Sequence, residues 1–80
     1  MNSIENIFED LKRIISDVFP GSETEIEPTT QAVEVDGWDS LNHAILISSI
    51  ESHFHIRLPI EKTFEAKNVG ELAELIFSNR

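Results

Sequence analysis

Residues 4–18, Ile4-Glu5-Asn6-Ile7-Phe8-Glu9-Asp10-Leu11-Lys12-Arg13-Ile14-Ile15-Ser16-Asp17-Val18, decide the fold. At ~100° per residue, Ile4, Ile7, Phe8, Leu11, Ile14, Ile15 and Val18 fall within about 120° of arc, the stripe of an amphipathic helix. Ser3 is its expected N-cap, and Pro20-Gly21 supplies the stop. From Pro20 to Trp38 no helical period exists, and Pro28, Thr29-Thr30 and scattered acids read as a long loop. Connections of that length are usually functional or tied down, and Ile26, Val33 and Val35 are the expected tethers. A second helix starts at the N-cap Asp39, whose carboxylate suits the free N–H groups of Leu41 and Asn42, and runs to about Phe54. Its core face takes His43, Leu46, Ile47, Ile50 and Phe54; Leu41, Ala44, Ile45, Ser48 and Ser52 face solvent.

Beyond it, His55 to Pro59 reads as an extended alternation, and a short helical turn over about 60–65 pairs Ile60 with Phe64. Asn68 caps a last helix, with Glu71 at the position of a capping-box partner and Val69, Leu72, Ala73 and Ile76 buried, flanked by Leu75. No repeat or low-complexity tract interrupts the pattern, and no alternation is long enough for a sheet. The expected architecture is all-α: a four-helix bundle of three main helices plus one short helix, with a long loop after helix one, in a single domain over residues 1–80.

Eighty residues bury only about 60–65% of the unfolded surface, so stability should be modest. The absence of cysteine removes disulfides, thiolate nucleophiles and sulfur-ligated metal sites. No apolar run approaches the ~18 residues of a membrane span, and the acids in MNSIENIFEDLK are unlike a signal peptide, so a cytoplasmic chain is expected. Fifteen acids against six bases give a net charge of −9, which argues against nucleic acid and for basic protein partners. The charge is uneven: residues 1–38 carry nine acids and two bases, residues 39–80 six and four.

The chemistry concentrates at Gly37-Trp38-Asp39-Ser40-Leu41. Ser40 falls in the first turn of the second helix, beside unpaired N–H groups that stabilise a phosphate ester, while Gly37 lets the backbone turn sharply. Asp-Ser is equally an ordinary pair of capping residues. The same five residues resemble the Asp-Ser-Leu signature of acyl carrier proteins. The order of elements agrees: amphipathic first helix, long loop, signature serine, Glu51, Phe54-x-Ile56 and Val69-Gly70-Glu71-Leu72. The resemblance implies that Ser40 receives 4′-phosphopantetheine from coenzyme A through a magnesium-dependent phosphopantetheinyl transferase that recognises the flanking Asp39. It implies a carrier without turnover of its own, holding acyl groups as thioesters and delivering them to acyl-loading, acyl-transfer or condensing enzymes. It also implies an acyl-sheltering interior, for which Leu46, Ile50, Phe54, Phe64 and Leu72 are the expected lining; the same residues would serve as plain core.

One departure is informative. Bacterial fatty-acid carriers show an acid-rich outer face on this helix, whereas here the stretch after Ser40 keeps Glu51 as its only acid before Phe54. Leu41, Ile45, Ser48 and Glu51 are therefore expected to form a docking face that is more apolar and less electrostatic, as in a specialised lipid, polyketide or related pathway. Two other functions stay open: an aminoacyl or peptidyl carrier, although these more often show a Gly-rich approach to the serine, or an unmodified helical interaction domain. A hydrolase using Ser40 is the poorest reading: 80 residues leave little room for a pocket, no orienting acid is evident, and His43 is expected to turn to the core. His53 and His55 lack the i, i+4 spacing of a metal pair and read as surface groups. The acidic stretch Glu23–Asp36 lacks the ordering of a calcium loop, so no metal site is expected. A monomer suits a module that visits several enzymes.

Overall fold

The computed structural model describes residues 3–22 and 25–80. Four α-helices follow one another: α1 (Ile4–Val18), α2 (Ser40–Phe54), α3 (Ile60–Glu65) and α4 (Val69–Asn79). No strand occurs among the described residues, as the four-helix expectation requires. Each long helix opens on the cap its sequence offers. Ser3 Oγ accepts from Asn6 N–H at 3.2 Å, Asp39 Oδ1 from Asn42 N–H at 2.9 Å and Asn68 Oδ1 from Glu71 N–H at 2.8 Å. The reciprocal arm at α4 differs by one residue from a capping box. Glu71 Oε1 accepts from Lys67 N–H, 3.0 Å away, rather than from the cap residue itself.

The apolar stripes meet as their spacing requires. α1 lies against both α2 and α4, and α3 against α2. Leu11, Leu46, Ile50 and Ile76 are wholly excluded from solvent at the centre of the core, with Ile7, Ile15, Val69 and Leu72 around them. The predicted faces of α2 hold: His43, Leu46, Ile47 and Ile50 are buried and Phe54 half-buried, whereas Leu41, Ala44, Ile45, Ser48 and Ser52 are exposed. No helix among the described residues is long and apolar enough to cross a membrane.

The loop between α1 and α2 is tied down, but not wholly by the expected residues. Ile26 and Val35 are buried; Val33 is 85% exposed. The reason is a 3₁₀ turn, Ala32–Glu34, closed by Glu34 Oε2 accepting from Gln31 N–H at 2.9 Å, which turns Val33 outward. The third anchor is polar. Thr30 is buried, its hydroxyl accepting from Glu27 N–H (2.8 Å) and donating to the Glu25 carbonyl (3.3 Å). The first N–H groups of α4 complete the attachment: Val69 donates to the Thr30 carbonyl (2.9 Å) and Gly70 to that of Pro28 (2.8 Å). A Cβ on Gly70 would sit 2.9 Å from the same Pro28 oxygen, so this close approach requires glycine. Of the acidic stretch, Glu23 lies outside the described residues. No group of three metal-ligating side chains occurs among the residues described.

Candidate functional site

The entry into α2 is built by Gly37, Asp39 and Ser40. Gly37 has φ +91°, a left-handed conformation open to glycine and costly for other residues. Its carbonyl accepts from Asn42 Nδ2 at 2.9 Å, which clamps the turn to the first turn of the helix. Asp39, extended at φ −118° and ψ −175°, caps the helix through its side chain and accepts from His43 N–H through its carbonyl at 2.7 Å. Ser40 is the first helical residue and is exposed. Its hydroxyl thus stands in solvent at a helix end whose N–H groups and dipole favour an attached phosphate.

Behind Ser40 lies a polar-aromatic cluster. Trp38 is half-buried, stacked on Phe19 with centroids 5.5 Å apart, and donates from Nε1 to His43 Nδ1 at 2.9 Å. His43 is 4% exposed; its Nε2 lies 2.9 Å from Thr63 Oγ1 and its ring stacks on Phe64 at 4.2 Å. Thr63, itself buried, donates its hydroxyl proton to the Ile60 carbonyl at 2.6 Å. Burial pushes the His43 pKa below the ordinary 6.5 of histidine. A cavity of about 250 Å³ opens between the start of α2, α3 and α4, with Ser40 and Asp39 on its wall beside Trp38, His43, Phe64 and Leu72.

The sequence-derived site residues divide on this geometry. Ser40, Asp39, Phe64 and Leu72 share the cavity. Leu46 and Ile50 do not: both are fully excluded from solvent in the core. Phe54 packs half-buried against that core, away from the cavity. Leu41, Ile45 and Ser48 are exposed together on α2, next to Asp17 and Val18 of α1. Glu51 is engaged differently from a free docking acid, since its Oε2 accepts from Leu58 N–H at 2.8 Å and holds the segment entering α3. His53 approaches Asp10 of α1 at 3.4 Å, and His55 closes α2 in the left-handed region (φ 57°). Sequence reasoning missed Ala32 on the cavity wall and the bonding of Trp38 and Thr63 to His43. The signal available was a histidine on a buried face, which needs polar partners.

A family model described as a phosphopantetheine attachment site matches residues 9–76. The chain belongs to this family. It is similar to the acyl carrier protein of Helicobacter pylori strain J99, 30% identical over 92% of this chain and 95% of that protein. It is also similar to the polyketide biosynthesis acyl-carrier-protein AcpK of Bacillus subtilis, 34% identical over 91% of this chain and 89% of that protein. The solution structure of a holo acyl carrier protein from Geobacter metallireducens superposes with a TM-score of 0.78 at 35% identity, covering 89% of this chain and 82% of the other.

The chain is thus an acyl carrier protein, a carrier rather than a catalyst, and its prosthetic group is 4′-phosphopantetheine. A carrier of this kind works with a phosphopantetheinyl transferase and with acyl-processing enzymes. The residues present fit the group. An exposed serine hydroxyl opens a helix, a half-apolar cavity adjoins it, and the arm supplies the thiol that the cysteine-free chain lacks.

Proposed function

We propose that Ser40 is the attachment point of the phosphopantetheine, with Asp39 the flanking residue read by the transferase. The observation that carries this reading is the exposed Ser40 at the first position of α2 on the wall of the cavity. Asp39 caps the helix start, which fixes the backbone from which the hydroxyl is presented. The arm and the first atoms of its cargo take the cavity, with Phe64 and Leu72 as apolar contacts. Leu46, Ile50 and Phe54 contribute to sheltering only if the packed core opens, and their first role is structural.

Partner enzymes dock on Leu41, Ile45 and Ser48. Leu41 is 74% and Ile45 50% exposed; the one acid within α2, Glu51, is committed to Leu58, which leaves Asp17 of α1 as the acid bordering the face. Docking is therefore driven more by apolar contact than by charge, and it weakens little with salt. This face and the similarity to a polyketide-pathway carrier support a specialised acyl pathway over primary fatty-acid synthesis. The working form is a cytoplasmic monomer that moves between enzymes.

Incubation with coenzyme A, magnesium and a broad-specificity phosphopantetheinyl transferase tests the site by intact mass and peptide mapping. One phosphopantetheine on the peptide containing Ser40 is expected, and none on Ser40→Ala with unchanged helix content. An adduct retained by Ser40→Ala would move the site elsewhere. No gain on folded wild type with several transferases would favour an unmodified interaction domain.

A further inference from the structure

Trp38, His43 and Thr63 form a hydrogen-bonded chain whose direction is fixed at both ends. The Thr63 hydroxyl proton is committed to the Ile60 carbonyl, so towards His43 the oxygen accepts and Nε2 must carry the hydrogen. At the other nitrogen the indole N–H only donates, so Nδ1 must be bare. The ring is therefore the neutral Nε2–H tautomer. A proton added to Nδ1 would set two N–H groups against each other across 2.9 Å, and the Trp38 contact would be lost.

The three residues come from separate parts of the chain: Trp38 from the loop, His43 from α2 and Thr63 from α3. All three line the cavity that holds Ser40. We propose that neutral His43 is the positioning residue of the arm site: it holds Trp38 and Thr63 as walls of the cavity beside Ser40, and a proton on Nδ1 releases Trp38. The link to the arm rests on Ser40 being the attachment point; the hydrogen-bonded chain does not.

The surroundings favour the neutral ring. Among the described residues Asp39 is the only other ionisable group on the cavity wall, and its Oδ1 accepts from Asn42 N–H. α3 contributes Thr63 and Phe64 to that wall, α4 Leu72, the segment between them Ala66 and Asn68, and the 3₁₀ turn Ala32, none of them charged. On the remaining side Phe19 covers Trp38. Burial lowers the His43 pKa, so release occurs in acid below the usual histidine range, and at neutral pH the site is closed.

Trp38 is the sole tryptophan in a chain without tyrosine, so the emission reports on the surroundings of Trp38, and His43→Gln isolates the part due to this contact. The unmodified protein is titrated from pH 8 to 4.5 by fluorescence, with circular dichroism as the control for folding. Wild type is expected to show one emission transition centred below pH 6.5 with its helix signal intact, and His43→Gln none. A flat wild-type trace, the same transition in His43→Gln, or a transition that tracks loss of helix would each overturn the proposal. Should His43→Gln not fold, NMR titration of the His43 ring compares wild type with Trp38→Phe. Loss of the indole donor removes a bond made only to the neutral form, so the midpoint rises by about half to one pH unit, and an unchanged midpoint refutes the linkage.

The effect on the arm is read by loading wild type and His43→Gln together in one tube, so that any effect of pH on the transferase cancels. The ratio of wild-type to variant holo protein should fall from its value at pH 8 to about half at the midpoint of the emission transition, following the fraction of His43 that takes up a proton. A constant ratio would end the positioning role. Failure of both chains to load would count against Ser40, while the emission titration still decides the state of His43.

Discussion

Two ways of holding a helix meet in this small bundle. α1, α2 and α4 are joined by aliphatic side chains, with Leu11, Leu46, Ile50 and Ile76 fully withdrawn from solvent. α3 is held differently. Its large apolar residues, Ile60 and Phe64, are 42% and 53% exposed, and its attachment runs through hydrogen bonds: Leu58 N–H to Glu51, and His43 Nε2–H to Thr63 Oγ1. Apolar burial is non-directional and hard to reverse locally, whereas a few directed bonds can be exchanged without opening the core. The cavity adjoining Ser40 lies on the α3 side. A carrier that must admit and release its cargo thus keeps a tight three-helix core and a fourth helix on exchangeable fastenings.

The strongest challenge to this contrast is a pair of truncations. Leu46→Ala, in the dry core, should cost about 2–5 kcal/mol in denaturant unfolding, and Phe64→Ala, half in solvent, less than about 1 kcal/mol. Equal costs would mean that α3 is core after all. Next in size is Glu51→Ala, which leaves the Leu58 N–H without its acceptor and should cost about 1–3 kcal/mol. Hydrogen exchange should place the loss in residues 58–65, with the α1 and α4 amides little changed.

A smaller effect separates the fastenings by pH. The folded chain resists protonating His43 while the unfolded chain titrates near 6.5. The unfolded state therefore binds more protons below that pH, so His43's contribution is complete above about pH 6.5 and is lost as pH falls through and below it. The melting-temperature advantage of wild type over His43→Gln should narrow from pH 7.5 to 5. Smallest is the α1–α2 contact of Asp10 with His53, whose side chains are 39% and 47% exposed. Asp10→Ala should cost at most about 0.5 kcal/mol, and less in high salt.

The helices and their caps were legible because they depend on local rules: a 3.6-residue stripe in α1 and Ser, Asp or Asn at the right offset before α1, α2 and α4. The place of Ser40 in the first turn was legible for the same reason, since Asp39 is the cap directly before it. The loop was harder. Val33 has the hydropathy of a tether, yet the Gln31–Glu34 contact turns it outward, and Thr30 is buried by bonds that no periodicity announces. The cavity also escaped periodicity. Leu46, Ile50 and Phe64 look alike as apolar residues on helices, and only the packing of one helix on another decides which two fill the core and which one borders a space. His43 was correctly turned inward, but its partners come from five residues before and twenty after, beyond the reach of local pattern.

The pairing of Val69 and Gly70 with Thr30 and Pro28 bears on the order in which the protein is made. These bonds join segments about forty residues apart, so the ends they bring together cannot meet early. Chain synthesis delivers α1, the loop and α2 before α4. Until α4 has formed, the carbonyls of Pro28 and Thr30 lack these two donors, and the loop that carries Trp38 to the cavity misses part of its anchorage. A nascent or truncated chain therefore displays Ser40 before the site around it is assembled.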